Sequence, residues 1–307
     1  MIPGRWRWLG LAVGVWGCGG PPASVVPASL DVEWQPFRWA DLTVGGVEVR
    51  RAAILIETAD RALIARGDTA VTQFQLDFGF SGTGAFGIPL RALEPESTDL
   101  TTARTSFRAV VSRLGNRDDS AGVRRPYRLG TVGLLYYGLR GLIIDQAGHR
   151  VGAPRTGAAL PPELEQRMRW TPATETVGRL VVPLTTGTDR LGGLWFDPGS
   201  SVVPLLVDDP TWRLLTGASG REAGHRRLAF PTATDSLILE GAPSRVPMSL
   251  GTIPLGTTTV WRVVSGPPAE RPDRFPDGVV GIIGNQLFES WSLVYVNVRA
   301  KRLGVVR

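Results

Sequence analysis

The segment Gly193-Leu-Trp-Phe-Asp197-Pro198-Gly199-Ser200-Ser201 ends an apolar run on a carboxylate that is followed by turn-forming residues. Such a run predicts a buried β-strand that stops at Asp197, because Pro and Gly interrupt regular pairing directly after it. An aspartate at this position is costly to bury unless its charge is paired or used. Beside glycine, however, its most frequent role is to cap a turn. Asp197 is therefore a candidate functional residue with a structural alternative.

A second copy of this pattern lies earlier in the chain. An apolar run at 51–58 is followed by a polar loop and by Gln73-Phe-Gln-Leu-Asp77-Phe78-Gly79, and the later copy follows the same order from residue 178. Each copy then closes with a strand-like segment that ends in a glycine, at Thr131-Val132-Gly133 and at Ile282-Ile283-Gly284. An internal repeat in this constant order indicates two duplicated structural units.

Composition and length agree with two β units. The chain has 307 residues, 43% hydrophobic and 20% charged, with 38 glycines and 24 prolines. Short runs rich in Val, Ile and Leu between these turn-forming residues predict a mostly β protein, and the length is sufficient for two domains. We expect an N-terminal lobe at 33–152, a linker at 153–177 with one short helix over 161–168, and a C-terminal lobe at 178–307.

The first residues have the layout of a secretory signal. Arg5 and Arg7 precede a short apolar stretch, and Val15-Trp16-Gly17-Cys18 resembles the lipobox of bacterial lipoproteins. The resemblance implies that 1–18 is a signal peptide with lipobox, that Cys18 carries lipid, and that 19–32 is a flexible leash. The folded part would then lie in the bacterial cell envelope, secreted and anchored in the membrane through the lipid. A plain signal peptide or an unprocessed N-terminus stays open.

The charge pattern argues against a nucleic-acid partner. The net charge is +6, and Lys301 is the only lysine among the basic residues. The arginines occur singly or in pairs rather than in one stripe with interleaved aromatics, which is the pattern of nucleic-acid binding. The sequence therefore predicts no nucleic-acid partner.

No cofactor and no metal are expected. Gly82-Thr-Gly84-Ala-Phe-Gly87 fits a dinucleotide-binding pattern, but Pro89 stands where the following helix should run. The segment between 100 and 118, where an acidic residue would bind the ribose, contains no acidic residue. The two histidines, His149 and His225, have no partners at metal-ligand spacing.

Together the two copies resemble the aspartic proteases, in the two-lobed pepsin-like form or as two fused retropepsin-like lobes. Phe196-Asp197-Pro198-Gly199-Ser200-Ser201 is similar to the family's Asp-Thr-Gly-Ser-Ser, and Leu76-Asp77-Phe78-Gly79 is a weaker match. The elements that end at Gly133 and Gly284 look like the segments that pack behind each catalytic loop. The resemblance covers 45–152 and 178–307, and it implies two pseudo-symmetric, acid-protease-like β-barrels.

The resemblance further implies that Asp77 and Asp197 form a catalytic dyad that hydrolyses peptide bonds. Two carboxylates that share one proton titrate at separated values, so one can accept a proton from water while the other donates to the substrate carbonyl. Gly79 and Gly199 would allow close approach of the backbone, and Ser200 would bond to the Asp197 carboxylate. The partner is then a polypeptide substrate that lies extended between the lobes.

Two further hypotheses remain. Phe78 and Pro198 stand where the family has Thr or Ser, whose hydroxyl ties the two loops together, and Phe80 stands at the first-lobe counterpart of Ser200. A catalytically inactive relative that binds an extended peptide in the same cleft is therefore the second hypothesis. The third is a β-rich surface lipoprotein unrelated to proteases, in which the two carboxylates would lie far apart.

Overall fold

The computed structural model describes most of the chain outside the N-terminal segment and several loops. The described residues are 25–44, 47–57, 73–78, 83–85, 97–101, 106–111, 128–134, 141–155, 160–176, 179–200, 202–220, 225–231, 236–266 and 275–307. The predicted signal segment 1–18 with Cys18, and Gly79 of the first Asp loop, lie outside them. Within these ranges no helix is both long enough and apolar enough to cross a membrane.

The described part of the chain is mostly β and includes a sheet curled into a half barrel. Its strands are β1 (Val32–Val44), β2 (Val47–Glu57), β3 (Gln73–Leu76), β4 (Thr83–Ala85), β5 (Ser97–Thr101), β6 (Ser106–Val111), β7 (Arg128–Val132), β8 (Leu142–Asp145), β9 (Arg150–Pro154), β10 (Arg169–Pro172), β11 (Thr174–Thr176), β12 (Arg179–Thr186), β13 (Asp189–Phe196), β14 (Leu205–Val207), β15 (Arg226–Pro231), β16 (Ser236–Pro243), β17 (Met248–Leu250), β18 (Ile253–Gly256), β19 (Thr259–Ser265), β20 (Val279–Ile283), β21 (Leu293–Asn297) and β22 (Arg302–Val306). The helices are α1 (Pro162–Arg167), α2 (Asp209–Thr216) and a 3₁₀ helix, Asn285–Ser290.

The predicted short helix in the linker is confirmed as α1, where Pro162 occupies the first turn and its missing N–H costs no internal hydrogen bond. The linker is otherwise more ordered than a simple connector. β10 pairs with β22 and β11 pairs with β12, so 153–177 contributes strands to both sheets.

The strands form two sheets. One has twelve strands in the order β10-β22-β21-β8-β9-β1-β2-β3-β7-β4-β6-β5, and the other has the order β15-β16-β19-β14-β20-β13-β12-β17-β18 with β11 beside β12. The final hairpin, β21 and β22, joins the sheet of the N-terminal half because β21 pairs with β8. The sheets therefore do not divide where the sequence places the linker.

The order of strand pairing recurs around the two aspartate-bearing strands. β3 runs parallel to β7, which is antiparallel to β4, and β4 runs parallel to β6. β13 runs parallel to β20, which is antiparallel to β14, and β14 runs parallel to β19. The backbone N–H of Asp77 donates to Val132 O at 3.1 Å, and that of Asp197 donates to Ile283 O at 3.0 Å. The sequence repeat is thus also a repeat in strand pairing.

The last residues of the predicted leash at 19–32 pack against the fold, and 19–24 lie outside the described residues. Leu30 and Val32 are buried in an apolar cluster with Ile143 and Leu293. Because burial of these side chains is favourable, the chain docks onto the strands before β1 begins.

One large apolar core extends over both halves of the chain. It includes residues that flank each aspartate, namely Phe74, Leu76, Phe78, Leu194 and Phe196. Since core side chains are closely packed, the ends of β3 and β13 are held at fixed positions relative to each other.

A buried ionic cluster links β16, β19 and the start of α2. Arg262 of β19 bonds to Glu240 Oε2 through Nη2 at 2.7 Å and also contacts Asp209 at the start of α2. Its guanidinium lies 3.8 Å from the ring centroid of Trp212, and His225 Nδ1 lies 3.1 Å from Glu240 Oε1. Burial by itself raises the pKa of Glu240, but the hydrogen bonds from Arg262 and His225 outweigh it and hold this pKa below its usual value.

We expect Glu240→Gln to lower the free energy of unfolding by about 2 kcal/mol at neutral pH, because Arg262 stays buried with one carboxylate partner fewer. A carboxyl whose pKa is lowered on folding contributes its full stability above its unfolded pKa, and the contribution is lost as the pH falls. The difference between parent and variant should therefore shrink below about pH 4. Urea unfolding at neutral and acidic pH measures it. Glu163→Gln on the exposed face of α1 is the control, and an equal difference at both pH values contradicts the prediction.

Candidate active site

The Asp197 carboxylate is held by backbone donors from both halves of the chain. Asp197 directly follows β13 and is 8% exposed. Its Oδ1 accepts the N–H of Gly199 at 2.8 Å and the N–H of Phe78 at 3.0 Å. Two N–H groups aimed at one carboxylate oxygen stabilise its negative charge. The two predicted aspartate loops are therefore joined by a direct hydrogen bond.

The Asp77 carboxyl lies against the same loop. Asp77 is half-buried after β3, and a Cβ built on Gly199 would lie 2.5 Å from Asp77 Cγ and 2.6 Å from its Oδ1. Only glycine leaves space for the carboxyl there. Since the Gly199 N–H bonds to Asp197, these contacts put Oδ1 of Asp77 no more than about 8 Å from Oδ1 of Asp197. The structure thus brings together the two aspartates that the sequence singled out.

Phe78 contributes an aromatic ring, and no hydroxyl, to the junction of the two aspartate loops. Phe78 is fully buried, and its ring centroid lies 6.0 Å from that of Phe196. Phe196 stacks on Phe288 at 4.7 Å, and Phe288 stacks on Trp291 at 5.5 Å. Each such pair contributes about 0.5–1.5 kcal/mol beyond its buried area. The two loops are therefore joined by a row of rings and by the Phe78 N–H, without a hydroxyl at residue 78.

Gly284, the glycine of the second closing element, lies directly behind the Asp197 loop. A Cβ on Gly284 would lie 2.3 Å from Val203 O and 2.4 Å from Ser200 O, so the loop after Asp197 rests on the bare backbone at this glycine. Gly133 occupies the corresponding position after Val132 and is buried. The close approach predicted behind the Asp197 loop is therefore seen at Gly284.

Ser200 contributes through its backbone. Its N–H donates to the Asp197 carbonyl oxygen at 3.1 Å, and its own carbonyl accepts the N–H of Asn285 at 3.1 Å. The hydroxyl bond from Ser200 to the Asp197 carboxylate stays a prediction.

Two buried amides at the site were not singled out from the sequence. Gln75 Nε2 donates to Gly199 O at 3.1 Å, and Asn285 Nδ2 donates to Ala52 O at 2.8 Å. The sequence feature that could have pointed to them is a polar residue within or next to an apolar run: Gln75 lies between Phe74 and Leu76, and Asn285 follows Ile282-Ile-Gly. Since polar groups are buried only at a cost, such residues require hydrogen-bond partners, but the sequence does not say which.

The arrangement provides two carboxyl groups at adjoining loops, one of them held by backbone N–H donors. Neighbouring carboxyls share protons unequally, which is the requirement for paired acid and base chemistry. Across the described ranges, no group of three or more His, Cys, Asp and Glu side chains is arranged to hold a metal ion. No family model matches the chain, and no curated protein matches it.

Proposed function

We propose that the chain is an aspartic-protease-like hydrolase of peptide bonds, in which Asp77 and Asp197 activate one water between two pseudo-symmetric lobes. The contact of the Asp77 carboxyl with Gly199, on the loop whose N–H holds the Asp197 carboxylate, is the observation that supports the dyad. The recurring strand pairing around β3 and β13 supports two related lobes. A lipoprotein unrelated to proteases would have its two carboxylates far apart. These contacts instead keep the Asp77 and Asp197 carboxyls close together.

The hydrogen bonds favour a division of roles. Asp197 Oδ1 receives two N–H donors, which stabilise its ionised form, so Asp197 is the base that takes a proton from water. Asp77 is then the protonated partner and donates to the oxygen of the scissile carbonyl. Water oxygen adds to the carbonyl carbon to give a gem-diol. The proton on Asp197 then passes to the leaving nitrogen as the C–N bond breaks, and a hydroxyl of the gem-diol returns its proton to Asp77. No covalent bond to the enzyme forms.

The proposal also places the protein in the bacterial cell envelope. If 1–18 is a signal peptide with lipobox, Cys18 carries the lipid and the substrates are extended polypeptides outside the cytoplasm. The intact mass of protein extracted from membranes tests this point. Loss of residues 1–17 with a gain of lipid mass on Cys18 is expected, and a retained Met1 would contradict it.

An inactive relative that binds an extended peptide in the same cleft is the second candidate. It is favoured by Phe78 and Pro198, neither of which offers a hydroxyl to the site. In addition, the Phe78 N–H occupies an oxygen of the Asp197 carboxylate. The same cleft would then hold a peptide through main-chain hydrogen bonds without hydrolysing it.

One assay separates the two candidates. The purified full chain is incubated with an intrinsically unfolded protein across acidic to neutral pH, and new amino termini are counted. We expect cleavage that persists after treatment with reagents that acylate serine or alkylate cysteine nucleophiles. Absence of cleavage at every pH overturns the hydrolase. Saturable binding of the same polypeptide without cleavage supports the peptide-binding candidate.

A further inference from the structure

We propose that Gln75 and Asn285 are positioning residues that hold the Asp197 loop, defined as residues 197–200, against the N-terminal half of the chain. In this role they replace the hydroxyls that are missing at residues 78 and 198. The inference rests on the proposed function, since it concerns how the same two carboxyls are kept in place.

Gln75 connects the strand of one aspartate to the loop of the other. It lies on β3 two residues before Asp77, is 3% exposed, and donates to Gly199 O. Two residues before Asp197, the corresponding position on β13 holds Trp195, which has no amide. An aspartate-bearing strand therefore does not need a side-chain amide at this position. We attribute the amide of Gln75 to its bond with Gly199.

Asn285 connects the far end of the Asp197 loop to β2. It is fully buried, its backbone N–H donates to Ser200 O, and its side-chain Nδ2 donates to Ala52 O on β2. Its Oδ1 is also buried and has no hydrogen-bond partner among the described residues. A half-satisfied amide in a core is less favourable than an apolar side chain of similar size.

The matching position in the first copy shows that an apolar side chain can occupy this place. Leu134 follows Gly133 as Asn285 follows Gly284, and Leu134 is fully buried. Only the second copy therefore carries the less favourable asparagine. Its side chain links the Asp197 loop to the other half of the chain.

Hydrogen bonds from outside the Asp197 loop reach three of its four residues. Phe78 bonds to Asp197, Gln75 bonds to Gly199, and Asn285 bonds to Ser200. Together they set where Asp197 Oδ1 lies relative to the Asp77 carboxyl. Because paired acid and base groups must be held within a fraction of an ångström, loosening the loop should reduce kcat more than it changes KM.

The variants Gln75→Met and Asn285→Leu remove each donor with little change in size. We expect kcat for cleavage of the unfolded protein to fall by about 10- to 100-fold, with KM within about twofold of the parent. We also expect the backbone amides of Phe78 and Gly199 to exchange with solvent about tenfold faster, since both donate to Asp197 Oδ1. If Asn285→Leu does not fold, Gln75→Met decides.

Thr216→Val is the matched control. Thr216 is a buried threonine at the end of α2, and its hydroxyl donates to the carbonyl of Trp212 within the same helix. It should lose stability while kcat and the exchange of the Phe78 and Gly199 amides stay at parental values. Equal behaviour of all three variants, or unchanged exchange at both amides in Gln75→Met, overturns the inference. If the parent does not cleave, the exchange measurement still decides it, and the missing activity counts against the proposed function alone.

Discussion

Asp77→Asn and Asp197→Asn should each lower kcat for peptide-bond cleavage by about 10³-fold. An amide cannot take a proton from water and cannot share one with a neighbouring carboxyl, so either change ends the exchange of a proton between the two loops. At residue 197 the substitution also replaces a charged acceptor of the Phe78 and Gly199 N–H groups by a neutral one. Initial rates on the unfolded protein across the pH range measure the effect.

The control is Asp189→Asn, an exposed aspartate at the start of the same strand, β13. It should retain parental activity at every pH. Urea unfolding of all three variants separates loss of activity from loss of fold. Retention of more than about a tenth of the activity by either dyad variant would rule out a shared acid and base role for the pair.

Gly284→Ala should lower the free energy of unfolding by at least about 3 kcal/mol. The new Cβ would lie 2.3 Å from Val203 O and 2.4 Å from Ser200 O, and both are backbone atoms that no change of side-chain rotamer can move away. Relief requires a shift of the segment that begins at Asp197. Activity should therefore fall further than the remaining folded fraction accounts for.

Gly220→Ala is the control, because a Cβ built on Gly220 has no atom within 4 Å. Its free energy of unfolding should stay within about 0.5 kcal/mol of the parent. Urea titrations of both variants at one pH make the comparison. A Gly284→Ala protein as stable as Gly220→Ala would show that the loop does not rest on this glycine.

Local patterns predicted the mostly β fold, the helix α1 and the ends of the two aspartate strands. They did so because each depends on neighbours in the chain: apolar runs that stop at Asp77 and Asp197, and Pro162 in the first turn of α1. The close approach at Gly284 could also be predicted, since a glycine at the end of an apolar strand marks close backbone approach.

The contacts that build the site could not be predicted from local sequence patterns. Phe78 and Asp197 are 119 residues apart, and Asn285 and Ala52 are 233 apart. The pairing of β21 with β8, which joins the end of the chain to the first sheet, is also long-range. Phe78 was expected to weaken the site by lacking a hydroxyl, whereas its ring packs against Phe196 and its N–H serves Asp197.

The amino-acid sequence by itself determined where each strand ends, which residues break it and that two carboxylates stand at equivalent ends, because these properties follow from local propensity and burial. Only the tertiary structure decided that the Asp77 carboxyl lies against Gly199, that Gln75 reaches the Asp197 loop and Asn285 reaches β2, and that the final hairpin joins the first sheet. The physical reason is that packing and long-range hydrogen bonds depend on which surfaces meet, and no short stretch of sequence contains that information.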